Sequence, residues 1–150
     1  MRSQMRYTLD ADTISEILRD NIITKRIYKD SLLVGDDIYI NAISYYQVRR
    51  GFLYEDHKKR SMEFDEMCRE CELIAMDDIS IFDKAAEIHA ELKRRAGKEN
   101  IGDCDILIAS IAYIRNLIVV TRNVRHFGFI KDFTPDLGID NWVDLNKNLY

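Results

Sequence analysis

Ile101-Gly-Asp-Cys-Asp-Ile-Leu-Ile-Ala-Ser-Ile-Ala-Tyr-Ile-Arg-Asn-Leu-Ile-Val-Val-Thr121 is the stretch whose reading decides the fold. Between Asp103 and Arg115 the apolar positions Ile106, Leu107, Ile108, Ala109, Ile111, Ala112 and Ile114 leave almost no polar face, as in a helix enclosed between layers. Leu117 to Val120 follows as a short β-branched run ending at Thr121, the pattern of a strand buried on both faces of a parallel sheet. A fully apolar helix feeding such a strand predicts an α/β class, with helices on both sides of the sheet.

The same alternation continues in both directions. Tyr7 to Leu9 reads as a strand that stops at Asp10, and Ile14, Ile17 and Leu18 begin a helix. Ile23, Ile27 and Leu33 form a second helical pattern that ends near Gly35, and Ile38 to Ile43 is extended. Ser44 and Gln47 have capping-box spacing, so the next helix is expected to open at Ser44. A helix over Lys59–Cys71 and a strand over Leu73–Met76 follow. After Ile79, the positions Phe82, Ala85, Ala86, His89 and Leu92 repeat at three and four, which makes His89 a core histidine, with a stop at Gly97. Trp142 to Leu145 is expected to supply the last strand. Strands separated by helices imply right-handed crossovers. The expectation is a three-layer α/β/α, Rossmann-like fold with a parallel sheet of about five strands, one domain spanning 1–150.

Composition narrows the function classes. Apolar residues make up 47% and charged residues 32%, with one Pro and no low-complexity stretch, the balance of a soluble helix-rich domain. No run approaches a membrane span, and the first ten residues lack a signal-peptide layout, so the cytoplasm is the expected compartment and no membrane is involved. Three cysteines are an odd count without framework spacing; Cys68 and Cys71 form a CxxC, but on a helix and without a second pair to complete a zinc site. A net charge of −4 argues against a broad nucleic-acid footprint. Local basic clusters remain at Arg49–Arg50, Lys58–Arg60, Lys93–Arg95 and Arg122 with Arg125, each of which read alone is a solvated face.

Four oxygen-bearing side chains stand where ligands bind in parallel sheets, at the carboxyl ends of strands. Asp10 ends the first strand, Gln47 is placed in the first turn of the third helix, Asp105 in the first turn of the apolar helix, and Asn123 just beyond Thr121. Each has a purely structural use: Asp103 suits an N-cap, Asp105 a helix N-terminus, Gln47 a capping box and Asn123 a turn. Their convergence, with Asp12 beside Asp10, points instead to one cleft for a hard divalent cation.

The blocks Leu9-Asp-Ala-Asp-Thr-Ile-Ser15, Ile40-Asn-Ala-Ile-Ser-Tyr-Tyr-Gln-Val-Arg-Arg-Gly51, Ile101-Gly-Asp-Cys-Asp-Ile-Leu-Ile-Ala109 and Val119-Val-Thr-Arg-Asn-Val-Arg-His-Phe127 together resemble a PIN domain of the VapC toxin type. The resemblance covers nearly the whole chain, and the last two blocks are the most specific. It implies an endoribonuclease using Mg²⁺ or Mn²⁺, the toxin of a type II toxin–antitoxin pair, inhibited by a cognate antitoxin held in a groove of exposed apolar residues on the first three helices. It also implies a homodimer. Carried over residue by residue, it makes Asp10, Asp105, Gln47 and Thr121 the catalytic set and Asp10, Asp103, Asp105 and Asn123 the metal ligands. The family's Asn after the first Asp is here Asp12, and a Glu normally stands at the position of Gln47. A neutral amide offers the cation one carbonyl oxygen and no charge, so metal affinity and activity are expected to be weakened.

Two other readings compete. A non-catalytic PIN-like module binding RNA or a protein partner is favoured by Gln47. A phospho-acceptor receiver domain finds its acids in Asp10, Asp12 and Asp77 and its hydroxyl in Thr121, but it needs a Lys directly after the last strand, where Asn146 precedes Lys147.

Overall fold

In the computed structural model, which describes residues 3–95 and 100–144, β1 (Arg6–Leu9) lies at the centre of a parallel sheet. It is flanked by β2 (Asp37–Asn41) and β4 (Ile118–Val120), with β3 (Glu72–Ile74) and β5 (Gly138–Asp140) at the edges. Thr8 pairs with Tyr39 on one side and Val119 on the other. Among the described residues seven helices connect the strands: α1 (Ala11–Leu18), α2 (Ile22–Leu33), α3 (Ala42–Glu55), α4 (Lys58–Glu70), α5 (Ile79–Arg94), α6 (Asp103–Arg115) and α7 (Val124–Phe133). This is the three-layer α/β/α arrangement expected from the sequence.

The period-two alternation of the strands divides the core between the layers. Tyr7, Leu9, Ile38, Ile40 and Val120 pack with α1, α2, α3 and α4 around Phe64 and Met67. Val119, Tyr39 and Ile139 belong to the other face, with α5, α6 and α7 around Ile108, Phe127 and Ile130. Helix α6 has Ile106, Ile108, Ala109, Ser110, Ile111 and Ala112 all buried, as its apolar circumference requires. It ends at Asn116 in the left-handed conformation, which turns the chain into β4. At the far edge, a Cβ on Gly138 would lie 3.0 Å from Ile118 Cγ1, so a larger residue there would require the Ile118 side chain to give way.

The strand order β3-β2-β1-β4-β5 positions the site. The chain steps outward from β1 to β3, and α5 and α6 then carry it back across to β4 on the other side of β1. The order therefore reverses between β1 and β4, and a crevice opens outside their carboxyl ends. The same order removes the receiver reading, because a receiver has β1 beside β3. Here β3 is an edge strand, and Asp77 is exposed and lies 3.5 Å from Arg115, which leads into the amino end of β4. Asp77 thus lies at the opposite edge of the sheet from Asp10.

Several boundaries differ from the sequence reading. The fifth strand is Gly138–Asp140 and not Trp142–Leu145; Leu145 and Gly97 lie outside the described residues. Trp142 is buried because its ring packs edge-on against Tyr7 and its indole N–H donates to Asp140 Oδ2, while Asn141 Oδ1 accepts from the amides of Val143 and Asp144 in a tight turn. Helix α3 opens three residues before Ser44, because the Asn41 side chain accepts from Ser44 N at 2.8 Å. Gln47 is therefore in the second turn and closes no capping box. Helix α5 buries Ile81, Ala85 and Ile88, and His89 is exposed. Two apolar stripes compete on that helix, and the one carrying two isoleucines at i and i+7 wins the core. Helix α7 was not read from the sequence, although Asn123 before Phe127 and Ile130 was its signal.

Candidate active site

Asp10 occupies the reversal between β1 and β4. Its backbone N–H donates to the Val120 carbonyl at 3.0 Å, extending the β1–β4 ladder by one residue, and its side chain caps α1. Oδ1 accepts from Thr13 N at 2.9 Å, and Oδ2 accepts from Thr121 Oγ1 at 2.6 Å. Thr121 is itself fixed, because its hydroxyl oxygen accepts from Asn123 N at 2.9 Å. Only 7% of Asp10 is exposed, and burial pushes its carboxyl above the usual carboxylate range, outweighing the lowering by the Thr121 and Thr13 bonds. Among the described residues no cationic side chain forms an ion pair with it.

Asn123 caps α7 and reaches the second acid through a histidine. His126 Nδ1 lies 2.8 Å from the Asn123 side-chain nitrogen and 3.2 Å from Asp105 Oδ2. With a proton on Nδ1 the ring donates to Asp105; without one it accepts from Asn123. Asp10, Thr121, Asn123, His126 and Asp105 thus form one connected chain across the ends of β1, β4, α6 and α7. Helix α6 has Gly102 as its N-cap with no side-chain cap bond, so Asp103 is inside the first turn and does not cap. Asp103 lines a depression with His89 and Lys93.

Gln47 is on a third wall. It lines an open groove together with Ala11, Asp12 and Ser15, so it stands near the Asp10 end of α1 but outside the hydrogen-bonded chain. Arg122 is engaged by acids: its guanidinium lies 3.8 Å from Asp12, 3.7 Å from Glu16 and 3.6 Å from Asp144. Arg49 bonds Asp65 and Ser61 and covers the rings of Tyr45 and Phe64, so it serves packing. Cys68, Cys71 and Cys104 are free thiols, and burial pushes the Cys71 thiol up to about 11.

The sequence reading missed His126, Glu16 and Asp144 as parts of the site. His126 was visible only as part of a motif, and the two acids meet Arg122 from segments far apart in the chain. It also missed Asn41, which is fully buried and donates to Thr8 Oγ1 at 2.9 Å while capping α3, tying β2 to β1 beneath the crevice.

The donors are of the right kind for a hard cation: carboxylates at Asp10, Asp12, Asp103 and Asp105 and amide oxygens at Gln47 and Asn123. Among the described residues no three His, Cys, Asp or Glu side chains converge as a metal cage. A hard ion such as Mg²⁺ is commonly held by one or two carboxylates and otherwise by waters and substrate phosphates. Among the described residues no helix is long and apolar enough to cross a membrane.

A family model for the PIN domain matches residues 7–129. Among solved structures, VapBC2 from Rickettsia felis bound to a promoter DNA fragment is similar over 92% of this chain and 99% of its own, at 23% identity and a TM-score of 0.79. DNA-bound VapBC from Salmonella typhimurium matches over 93% and 99% at 23% identity and a TM-score of 0.76. FitAcB from Neisseria gonorrhoeae matches over 93% and 99% at 27% identity and a TM-score of 0.72. No curated protein matches the sequence.

Proposed function

The chain belongs to the PIN domain family, and on that premise we propose that it is the nuclease toxin of a toxin–antitoxin pair, a divalent-metal-dependent endoribonuclease. The observation that carries this reading is the Asp10 carboxylate. It is buried at the strand-order reversal, oriented by Thr13 N and Thr121 Oγ1, and has no ion-pair partner among the described residues. A buried carboxylate without a counter-charge is costly, and a bound cation relieves that cost.

Asp10 and Asp105 would hold Mg²⁺ or Mn²⁺, with Asn123 and Asp103 contributing directly or through waters. An ion held there supplies Lewis acidity toward the phosphoryl oxygens and toward an attacking water in an in-line displacement. The chain's own residues do the positioning. Thr121 holds one Asp10 oxygen, Thr13 N holds the other, and His126 orients Asp105 through Nδ1. Arg122 balances Asp12, Glu16 and Asp144 at the rim, which lowers the repulsion an incoming phosphate meets.

The solved neighbours are complexes described as VapBC and FitAcB, and one is a toxin–antitoxin complex from Klebsiella pneumoniae with a TM-score of 0.62. They support a cognate antitoxin here. Exposed Ile22, Leu33 and Val34 at the ends of α2 and Tyr46, Leu53 and Tyr54 on α3 are the apolar surface for such a partner, or for a second copy in a homodimer.

Gln47 favours a second reading, a PIN domain that binds RNA or a partner without cleaving. Incubation of RNA with the chain and Mn²⁺, beside an EDTA control and the Asp10→Asn variant, separates the two. Metal-dependent cleavage that falls to background in Asp10→Asn is expected. No cleavage by the parent chain, or a rate untouched by the substitution, contradicts the nuclease reading.

A further inference from the structure

Ala11 and Asp12 directly follow Asp10 and form one end of an open groove of about 580 Å³ between α1, α3 and α4. Its walls also carry Arg19 from the end of α1, Arg50 and Glu55 from α3, and His57 and Arg60 from the start of α4. Read alone, each basic cluster is a solvated helix face. The fold brings Arg50 and Arg60 from two of these clusters, together with Arg19, to one groove beside the candidate active site.

These arginines differ from those held in ion pairs, with the Arg50 guanidinium resting 5.0 Å from the centroid of the Tyr46 ring, a contact that leaves its N–H donors free to bond in the ring plane. Arg49 is tied to Asp65, Arg94 and Arg95 meet Glu91, Arg115 meets Asp77, and Arg122 meets three acids. Among the described residues neither Arg19, Arg50 nor Arg60 forms an ion pair. Arg60 also has its Nη1 buried without any hydrogen-bond partner. Buried donors are satisfied almost everywhere in folded proteins, so the Arg60 guanidinium gains a bond by turning that nitrogen toward an acceptor in the groove. Phosphate oxygens are the acceptors that best match guanidinium geometry.

We infer that this groove is a phosphate-binding track for single-stranded RNA, in which Arg19, Arg50 and Arg60 hold backbone phosphates that flank the one presented to Asp10. The inference rests on the nuclease reading for the polymer's identity. Continuity favours RNA over an acidic peptide: the groove meets the site at the residue after the Asp10 carboxylate, as it must if one chain of phosphates occupies both. Asp12, at the junction, already faces Arg122, and Glu55 is the remaining acid on the groove wall.

The test is binding of a short fluorescent single-stranded RNA of mixed sequence in EDTA, titrated with salt, for the full chain and for Arg19→Ala, Arg50→Ala and the double variant. Both positions are exposed, so folding is retained. Each substitution is expected to weaken binding several-fold at low salt and to reduce the slope of log K against log salt by about 0.7 for each phosphate no longer held. Affinity and slope unchanged in the double variant, or no RNA binding by the parent chain, overturns the track. Loss of poly-glutamate binding with RNA binding intact overturns it in favour of a protein-docking groove. RNA cleavage that persists unchanged in the double variant contradicts the track alone, whereas groove-dependent RNA binding without metal-dependent cleavage contradicts the nuclease reading alone.

Discussion

Asp10 joins its local role to the chemical one proposed for it, because the two bonds that make it a helix cap and a strand clasp also fix both of its oxygens. Its carboxyl is raised by burial. A carboxylate with a folded pKa above its unfolded one contributes stability that is present at low pH and lost as pH rises through the raised value, so at neutral pH the metal-free protein carries an electrostatic cost at this residue. Gln47 tests whether the groove side of the site has been weakened. Gln47→Glu is expected to tighten Mn²⁺ binding, measured by titration calorimetry, and to raise the rate of RNA cleavage; no change in either quantity would mark the Gln47 wall as irrelevant to metal. At this scale Asp10, Asp105 and Thr121 were legible, since their positions follow from where strands end and helices begin. The role of His126 was not, because it exists only where α7 comes to rest against α6.

The elements nearest the site are fixed by side chains that serve two partners at once. Asn41 caps α3 through Ser44 N and donates to Thr8 Oγ1, so Asn41→Ala removes a cap and strands a buried hydroxyl. Urea unfolding should show a loss of about 2–3 kcal/mol from these two effects together, and a loss below about 0.5 kcal/mol would mean that α3 finds another start. The spacing of Ser44 to Gln47 pointed to Ser44 as the cap, and nothing local in the sequence singled out Asn41. Burial decided otherwise. The fifth strand was misplaced for a related reason: Gly-Ile-Asp at 138–140 carries little hydrophobic signal, whereas Trp142 carries much and uses it to pack on Tyr7. The long, strongly apolar elements α6 and β4 were read nearly to the residue, since no alternative environment satisfies them.

Over the whole molecule, the placing of the candidate site follows from the order of strands. Layers and class were legible because alternation of period two with helical period forces them, but the order β3-β2-β1-β4-β5 depends on pairings between distant segments that no local pattern encodes. That order sets Asp10 and Thr121 side by side and leads α6 and α7 to bring Asp105 and Asn123 to the same edge. It also turns Arg19, Arg50 and Arg60 onto one groove. The central claim is that this edge holds a divalent cation between Asp10 and Asp105. The most direct measurement is the thermal midpoint of the metal-free chain as Mn²⁺ is added, compared with Asp10→Asn and Asp105→Asn. Binding only the folded state stabilises it by about 2.7 kcal/mol at a hundredfold excess over Kd, so the parent midpoint is predicted to climb with Mn²⁺ while both variants stay flat. An equal climb in all three, or no climb in the parent, would contradict the account.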